Sequence, residues 1–175
     1  MKSPNFTYRQ AKSLSEVFEL LDYFGDDARI LAGGQSLMPM LNMRLSNPTA
    51  LIDINQVKEL SNIEELQDGV KIGALVRHYE IETSQCIERN LPLLYQAMPN
   101  VAHTAIRSRG TFGGSLAFAD PAAEIPAVTF ALDGLINVCS KSRQRQIKAE
   151  DFFHGLYSTA LEHGEIISSV LFPKN

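Results

Sequence analysis

Two short stretches of this chain, far apart in sequence, share one recipe, and that pairing limits what the chain can fold into. In Ile30-Leu31-Ala32-Gly33-Gly34-Gln35-Ser36-Leu37 a strand ends, two glycines allow a tight turn, and a helix opens at a hydroxyl residue. Arg107-Ser108-Arg109-Gly110-Thr111-Phe112-Gly113-Gly114-Ser115-Leu116 repeats the ingredients, with hydroxyls at Thr111 and Ser115 and an arginine-rich approach. A turn of the first kind aims backbone N–H groups at one point beside a helix start, which suits an anion. No Lys or Arg lies in that first loop, so a phosphate there would rely on amides. One such turn is more often plain architecture than a site. Two of them suggest a diphosphate held between two lobes, one phosphate to each loop. Neither stretch matches GxGxxG or GxxxxGK[ST], which disfavours a Rossmann dinucleotide site and a P-loop.

A third segment, Ala119-Asp120-Pro121-Ala122-Ala123-Glu124, reads as a helix start. Asp120 would be the N-cap, Pro121 the first helical residue and Glu124 an acid in the opening turn. Capping accounts for Asp120. A carboxylate such as Glu124, close to a bound nucleotide, can also accept hydrogen bonds from a ribose or an adenine.

Composition removes several function classes. The formal charge is −4, from 16 basic and 20 acidic side chains, which argues against a nucleic-acid backbone as partner. The one basic cluster, Lys141, Arg143, Arg145 and Lys148, reads as a solvated hairpin, with subunit docking as the alternative. Cys86 and Cys139 stand alone, without a CxxC, so the chain cannot by itself hold an iron–sulfur cluster needing four thiolates. His78, His103, His154 and His163 lack zinc-site spacing, so no metal ligands are expected. No apolar run approaches a membrane span and no secretory signal is recognisable, so cytoplasmic residence is the expectation.

Periodicity predicts an edge strand at 6–8, a helix with Leu14, Val17, Phe18, Leu21 and Phe24 on its apolar face, and a strand at 29–31. A helix over 37–45, a buried strand at 51–54 and a hairpin around Asp68-Gly69 follow. The chain reads as helical from Arg77 to Ile106, as a glycine-rich loop from Gly110 to Asp120, and as a helix over 122–132. Strands at 135–140, 144–149 and 165–172, with a helical turn at 150–154, complete an α+β chain of two lobes, divided as 1–56 and 57–175.

The segments "AGGQSLMPMLNMRL", "LIDI" and "VAHTAIRSRGTFGGSLAFADPAAEIPAV" resemble the medium, FAD-binding subunit of the molybdenum hydroxylases, the carbon monoxide, xanthine, aldehyde and nicotinate dehydrogenase type of enzyme. The similarity runs from about Phe6 to Phe172. It implies a two-lobed FAD-binding fold of the vanillyl-alcohol oxidase and molybdopterin dehydrogenase type. It implies that Ala32, Gly33, Gly34, Gln35 and Ser36, flanked by Leu31 and Leu37, hold the pyrophosphate of FAD, and that Val101 and Ala102 pass beside the flavin. Thr111, Gly113, Gly114 and Ser115, with Asp120 and Glu124, would bind the cofactor, and Ile166 or Ile167 would pack on its adenine or flavin side. No residue of the chain is expected to act as a catalyst on the organic substrate. Ser108, Phe112 and Phe118 depart from the Asn, Ile and His common in relatives.

The implied partners are an iron–sulfur small subunit carrying [2Fe–2S] clusters and a large subunit carrying molybdopterin. The family continues past "VLFP" into a C-terminal domain; its absence here is read as truncation, or as a domain supplied by another chain. Two other functions stay open at the level of sequence. One is a stand-alone flavin oxidoreductase using Tyr95, His103 or Tyr157 as proton donor; the other is a scaffold that binds no flavin.

Overall fold

The computed structural model describes residues 2–174. The chain begins with β1 (Thr7–Gln10), α1 (Leu14–Phe24), β2 (Ala28–Leu31), α2 (Leu37–Asn42) and β3 (Ala50–Asp53). These three strands form a parallel sheet in the order β1-β3-β2, with Ala50 level with Thr7 on one side and Ala28 on the other. The central strand is buried along its whole length, as parallel strands covered on both faces must be. Ser13 caps α1 by accepting from Glu16 N at 3.3 Å, and Gly25 ends it at φ 64°. α2 stops short of the expected Leu45, because Arg44 turns left-handed at φ 58° and Leu45 N donates back to Met40 O.

Next come β4 (Ile63–Glu65) and β5 (Gly69–Gly73), then the helices α3 (His78–Glu82), α4 (Gln85–Asn90), α5 (Pro92–Ala97), α6 (Thr104–Arg107), α7 (Phe112–Phe118) and α8 (Glu124–Ala131). β6 (Leu135–Cys139), β7 (Gln144–Lys148), α9 (Ala149–Phe152), β8 (Phe153–Gly155), β9 (Ser158–Thr159) and β10 (Ile166–Pro173) complete the chain. The second sheet is antiparallel, in the order β4-β5-β10-β6-β7, so the last strand enters at its centre. Its register shifts between Ile167 and Ser169.

Two sequence expectations fail here. The segment after Gly110 is a helix, α7, rather than a loop: Thr111 caps it, accepting from Gly114 N at 3.3 Å. Its glycines hide the helix from propensity, yet Gly113 is there for packing, since a first side-chain carbon would lie 2.5 Å from Ala74 Cβ. Asp120 does not cap α8, which starts at Glu124 with Ala123 as N-cap. Asp120 Oδ1 instead accepts from Ala122 N at 3.0 Å, in a separate turn holding Pro121. The β8–β9 hairpin had no counterpart in the sequence reading.

The larger core lies between the antiparallel sheet and its helices and includes Ile72, Leu94, Phe112, Leu116, Phe152 and Phe172. The smaller packs α1 on the parallel sheet and draws in Cys139 and Ile166 from the other one, with Leu75 from just past β5. Every member of the basic hairpin cluster has an acidic neighbour. Arg145 pairs with Glu165 at 2.6 Å, Lys148 with Glu150 at 3.1 Å, Arg143 with Glu162 at 3.4 Å, and Lys141 reaches Asp22 on α1 at 2.5 Å.

Candidate cofactor site at the junction of the two sheets

The two glycine stretches meet. A side chain at Gly33 would place its first carbon 2.5 Å from Arg109 O and 2.9 Å from Gly110 Cα, so only glycine lets the loops touch. Gly34, at φ 71°, turns the first loop back on itself. Beside this contact lies a cavity of about 470 Å³, within the ~300–1000 Å³ usual for small-molecule sites.

Its walls hold Ala32, Gly33, Gly34, Gln35, Ser36 and Leu37 from the first loop, and Thr111, Gly114 and Ser115 from the second. Val101, Ala102, Asp120 and Glu124 line it as well, so thirteen of the seventeen residues singled out from sequence come together. Four do not line it. Leu31 ends β2, and Gly113 is turned onto Ala74. Ile166 and Ile167 are each 5% exposed and bury into the smaller and the larger core respectively, because β10 runs through the middle of its sheet. Sequence reasoning had not placed Arg29, Ile30, His78, Ile106 or Gly110 in the wall. Arg29 and Ile30 could have been found, since the strand leads straight into the loop. Tyr95 and His103 are not in the wall; Tyr157 stacks edge-on against the lining Phe118, with ring centres 5.1 Å apart.

The loops differ in what they offer. Among the described residues, no protein acceptor takes the N–H of Gly33, Gly34, Gln35, Ser36 or Leu37. Five successive free donors around a left-handed glycine suit a bound anion. The second loop commits its amides internally: Phe112 N to Val76 O (2.9 Å), Gly113 N to Ala74 O (2.8 Å), Gly114 N to Thr111 Oγ1 and Ser115 N to Thr111 O (3.1 Å). Its residues in the wall are two hydroxyl residues, Thr111 and Ser115, and Gly114. Free amide donors are thus found in the first loop alone.

Nearby groups fix the cavity's shape. Ala102 sits at φ 46°, unusual for a residue with a side chain, and is held there by Arg107. Arg107 Nη1 donates to Val101 O at 3.1 Å and Ala102 O at 3.3 Å, while its guanidinium grips both oxygens of Glu82 at 2.8 and 3.1 Å. His78 is 5% exposed and neither ring nitrogen has a partner; burial pushes its pKa down to about 4, so it stays neutral. Arg29 is thus the cation in a wall that also holds Asp120 and Glu124. Among the described residues, no cluster of His, Cys, Asp or Glu could hold a metal ion, and no helix is long and apolar enough to cross a membrane.

A pocket walled by the end of β2, the first glycine loop and the segments around α6 and α7, with unbonded amides in that first loop, defines a domain that binds a nucleotide-type cofactor. The sequence profile described as "FAD binding domain in molybdopterin dehydrogenase" matches residues 4–175, and the chain belongs to that family. It is 45% identical over 174 residues to the 6-hydroxypseudooxynicotine dehydrogenase complex subunit alpha of Paenarthrobacter nicotinovorans, covering 99% of this chain and 59% of that protein. Its fold matches carbon monoxide dehydrogenase from Hydrogenophaga pseudoflava with a TM-score of 0.97 at 37% identity, over 100% of this chain and 61% of that one. Quinoline 2-oxidoreductase from Pseudomonas putida 86 matches equally well, with a TM-score of 0.97 at 41% identity and the same coverage. The chain spans about three fifths of the length of these relatives.

Proposed function

We propose that this chain is the FAD-binding part of an electron-transfer subunit in a molybdenum-containing hydroxylase, and that FAD occupies the cavity at the sheet junction. The observation that carries the reading is the row of unpartnered amides from Gly33 to Leu37, in residues that line one pocket together with Thr111 and Ser115 of the second loop. In this reading those amides hold the pyrophosphate, with the Thr111 and Ser115 hydroxyls and the Gly114 backbone opposite. Glu124 accepts from a ribose or adenine group. Val101 and Ala102, fixed by Arg107, form an apolar ledge for the ring system.

FAD held there would supply a redox centre able to take electrons singly from iron–sulfur centres and to give up a pair to an acceptor. The chain's own work is to bind, orient and shield that group. A small subunit with [2Fe–2S] clusters and a large subunit with molybdopterin are the proposed partners; what supports this is that the Paenarthrobacter nicotinovorans relative is itself one subunit of a dehydrogenase complex. The organic substrate would be chosen in the large subunit.

Purified chain, or chain incubated with FAD and freed of excess, should show flavin absorption, and the released cofactor should have the mass of FAD. Ser115→Ala should weaken FAD by about tenfold, the worth of one hydrogen bond to a charged group. A chain that stays colourless after reconstitution would reject the assignment.

A further inference from the structure

The first loop is held partly from within, where Gln35 Nε2 donates to Gly33 O at 2.9 Å, but the carbonyl that precedes its first free amide is held from outside it. Asn55, just past β3, donates from Nδ2 to Ala32 O at 2.9 Å. A trans peptide points its C=O and N–H in opposite directions, so fixing the Ala32 carbonyl aims the Gly33 N–H. The same Asn55 amide group donates to Asp53 Oδ1 at 2.6 Å, and Asn55 N donates to that oxygen at 2.8 Å. Tyr8 OH on β1 donates to the other carboxylate oxygen at 2.5 Å. Asn55 is therefore anchored on the parallel sheet.

Its free oxygen faces the other lobe. Arg77, at the start of α3, donates from Nη2 to Asn55 Oδ1 at 2.6 Å and from Nη1 to Arg109 O. Arg109 O is the atom against which Gly33 rests. A continuous strut thus runs from one loop's carbonyl through Asn55 and Arg77 to the other loop's carbonyl. Neither residue lines the cavity.

We propose that Arg77 and Asn55 are positioning residues for the cofactor: their side chains set the separation of the two loops and the aim of the first loop's amides. The proposal rests on the reading of the cavity as the FAD site, and it assigns these two residues no contact with the cofactor. The fork matters more than the charge. A guanidinium can bond two carbonyl-type oxygens in fixed directions, and an ammonium on a flexible stem cannot hold both in that way. A strut is also only as good as its weaker half, so the two residues must act as one unit.

The test uses the whole chain and its Arg77→Met, Asn55→Leu, double and Arg77→Lys variants. In the cofactor-free protein, both single variants should perturb the same amide signals, Gly33 to Leu37, in nitrogen–proton spectra, while core amides of β5 and β10 stay put. In FAD titrations each single variant should weaken binding about tenfold, the double variant no further, and Arg77→Lys should fail to restore affinity. Unmoved loop signals, singles within twofold of the parent, losses that multiply in the double variant, or full rescue by lysine would each overturn the strut. The spectra decide this even for a chain that fails to take up FAD, an outcome that removes the cofactor assignment instead.

Discussion

His78 shows how a single side chain can carry the site's conditions. Burial is the main cause of its low pKa, and the charges of Arg107 and Arg77 push the same way. An unfolded chain takes a proton on this ring near the ordinary value of 6.5, whereas the folded chain refuses it until about pH 4. Between those values the unfolded state binds more protons, so folding stability is full above the upper one and drains as pH falls toward the lower. The loss should reach roughly 3 kcal/mol, on the scale of about 1.4 kcal/mol per tenfold in proton affinity. Urea midpoints measured from pH 7 to 4.5 should decline in the parent and stay flatter in His78→Leu. Parallel curves would show that the ring does not titrate as described. Asp53 shifts in its own range: burial pushes its carboxyl up, but hydrogen bonds from Tyr8 and Asn55 outweigh it and hold the carboxyl below the usual value, so its share of stability is lost as pH drops through that lowered value.

At the scale of elements, two short helices owe their place to contacts that span the chain. α3 and α6 are bound together by Glu82 and Arg107, whose side chains are 24% and 11% exposed. Arg107→Met strands a poorly solvated carboxylate and frees the Val101–Ala102 carbonyls. It should cost about 2–4 kcal/mol by denaturant unfolding, much of it regained with Glu82→Leu. An unchanged midpoint in the single variant would show the pair to be idle. α7 needs close backbone approach, and Gly113→Ala should lower stability by about 1–3 kcal/mol.

These elements also mark where sequence reading reached its limit. α1, β3 and the hairpin at Asp68-Gly69 were legible because their apolar spacing and turn residues are local signals. α7 was not, because its glycines answer to Ala74, a residue distant in sequence. Most of the cavity wall was legible because both loops carry their chemistry in contiguous residues. The Arg77–Asn55 strut was not: neither residue belongs to a motif, and only the folded chain makes them neighbours.

On the scale of the whole molecule, the pocket depends on the two glycine loops staying in contact at Gly33. Gly33→Ala pushes a carbon into Arg109 O and should separate the loops, lowering both thermal stability and FAD affinity, the latter by more than about tenfold. Retained affinity would mean the loops need not touch.

The smaller core, built from α1 and the parallel sheet together with Leu75, Cys139 and Ile166, has a consequence for how a ligand gets in. A jaw that swung open there would expose oily surface from both sheets to water, so the molecule has no inexpensive hinge at this seam. Uptake and release must then go through the pocket's own mouth. Fluorescent labels placed on α1 and on β7 should report a single shared melting transition, as expected of one cooperative unit rather than two tethered halves.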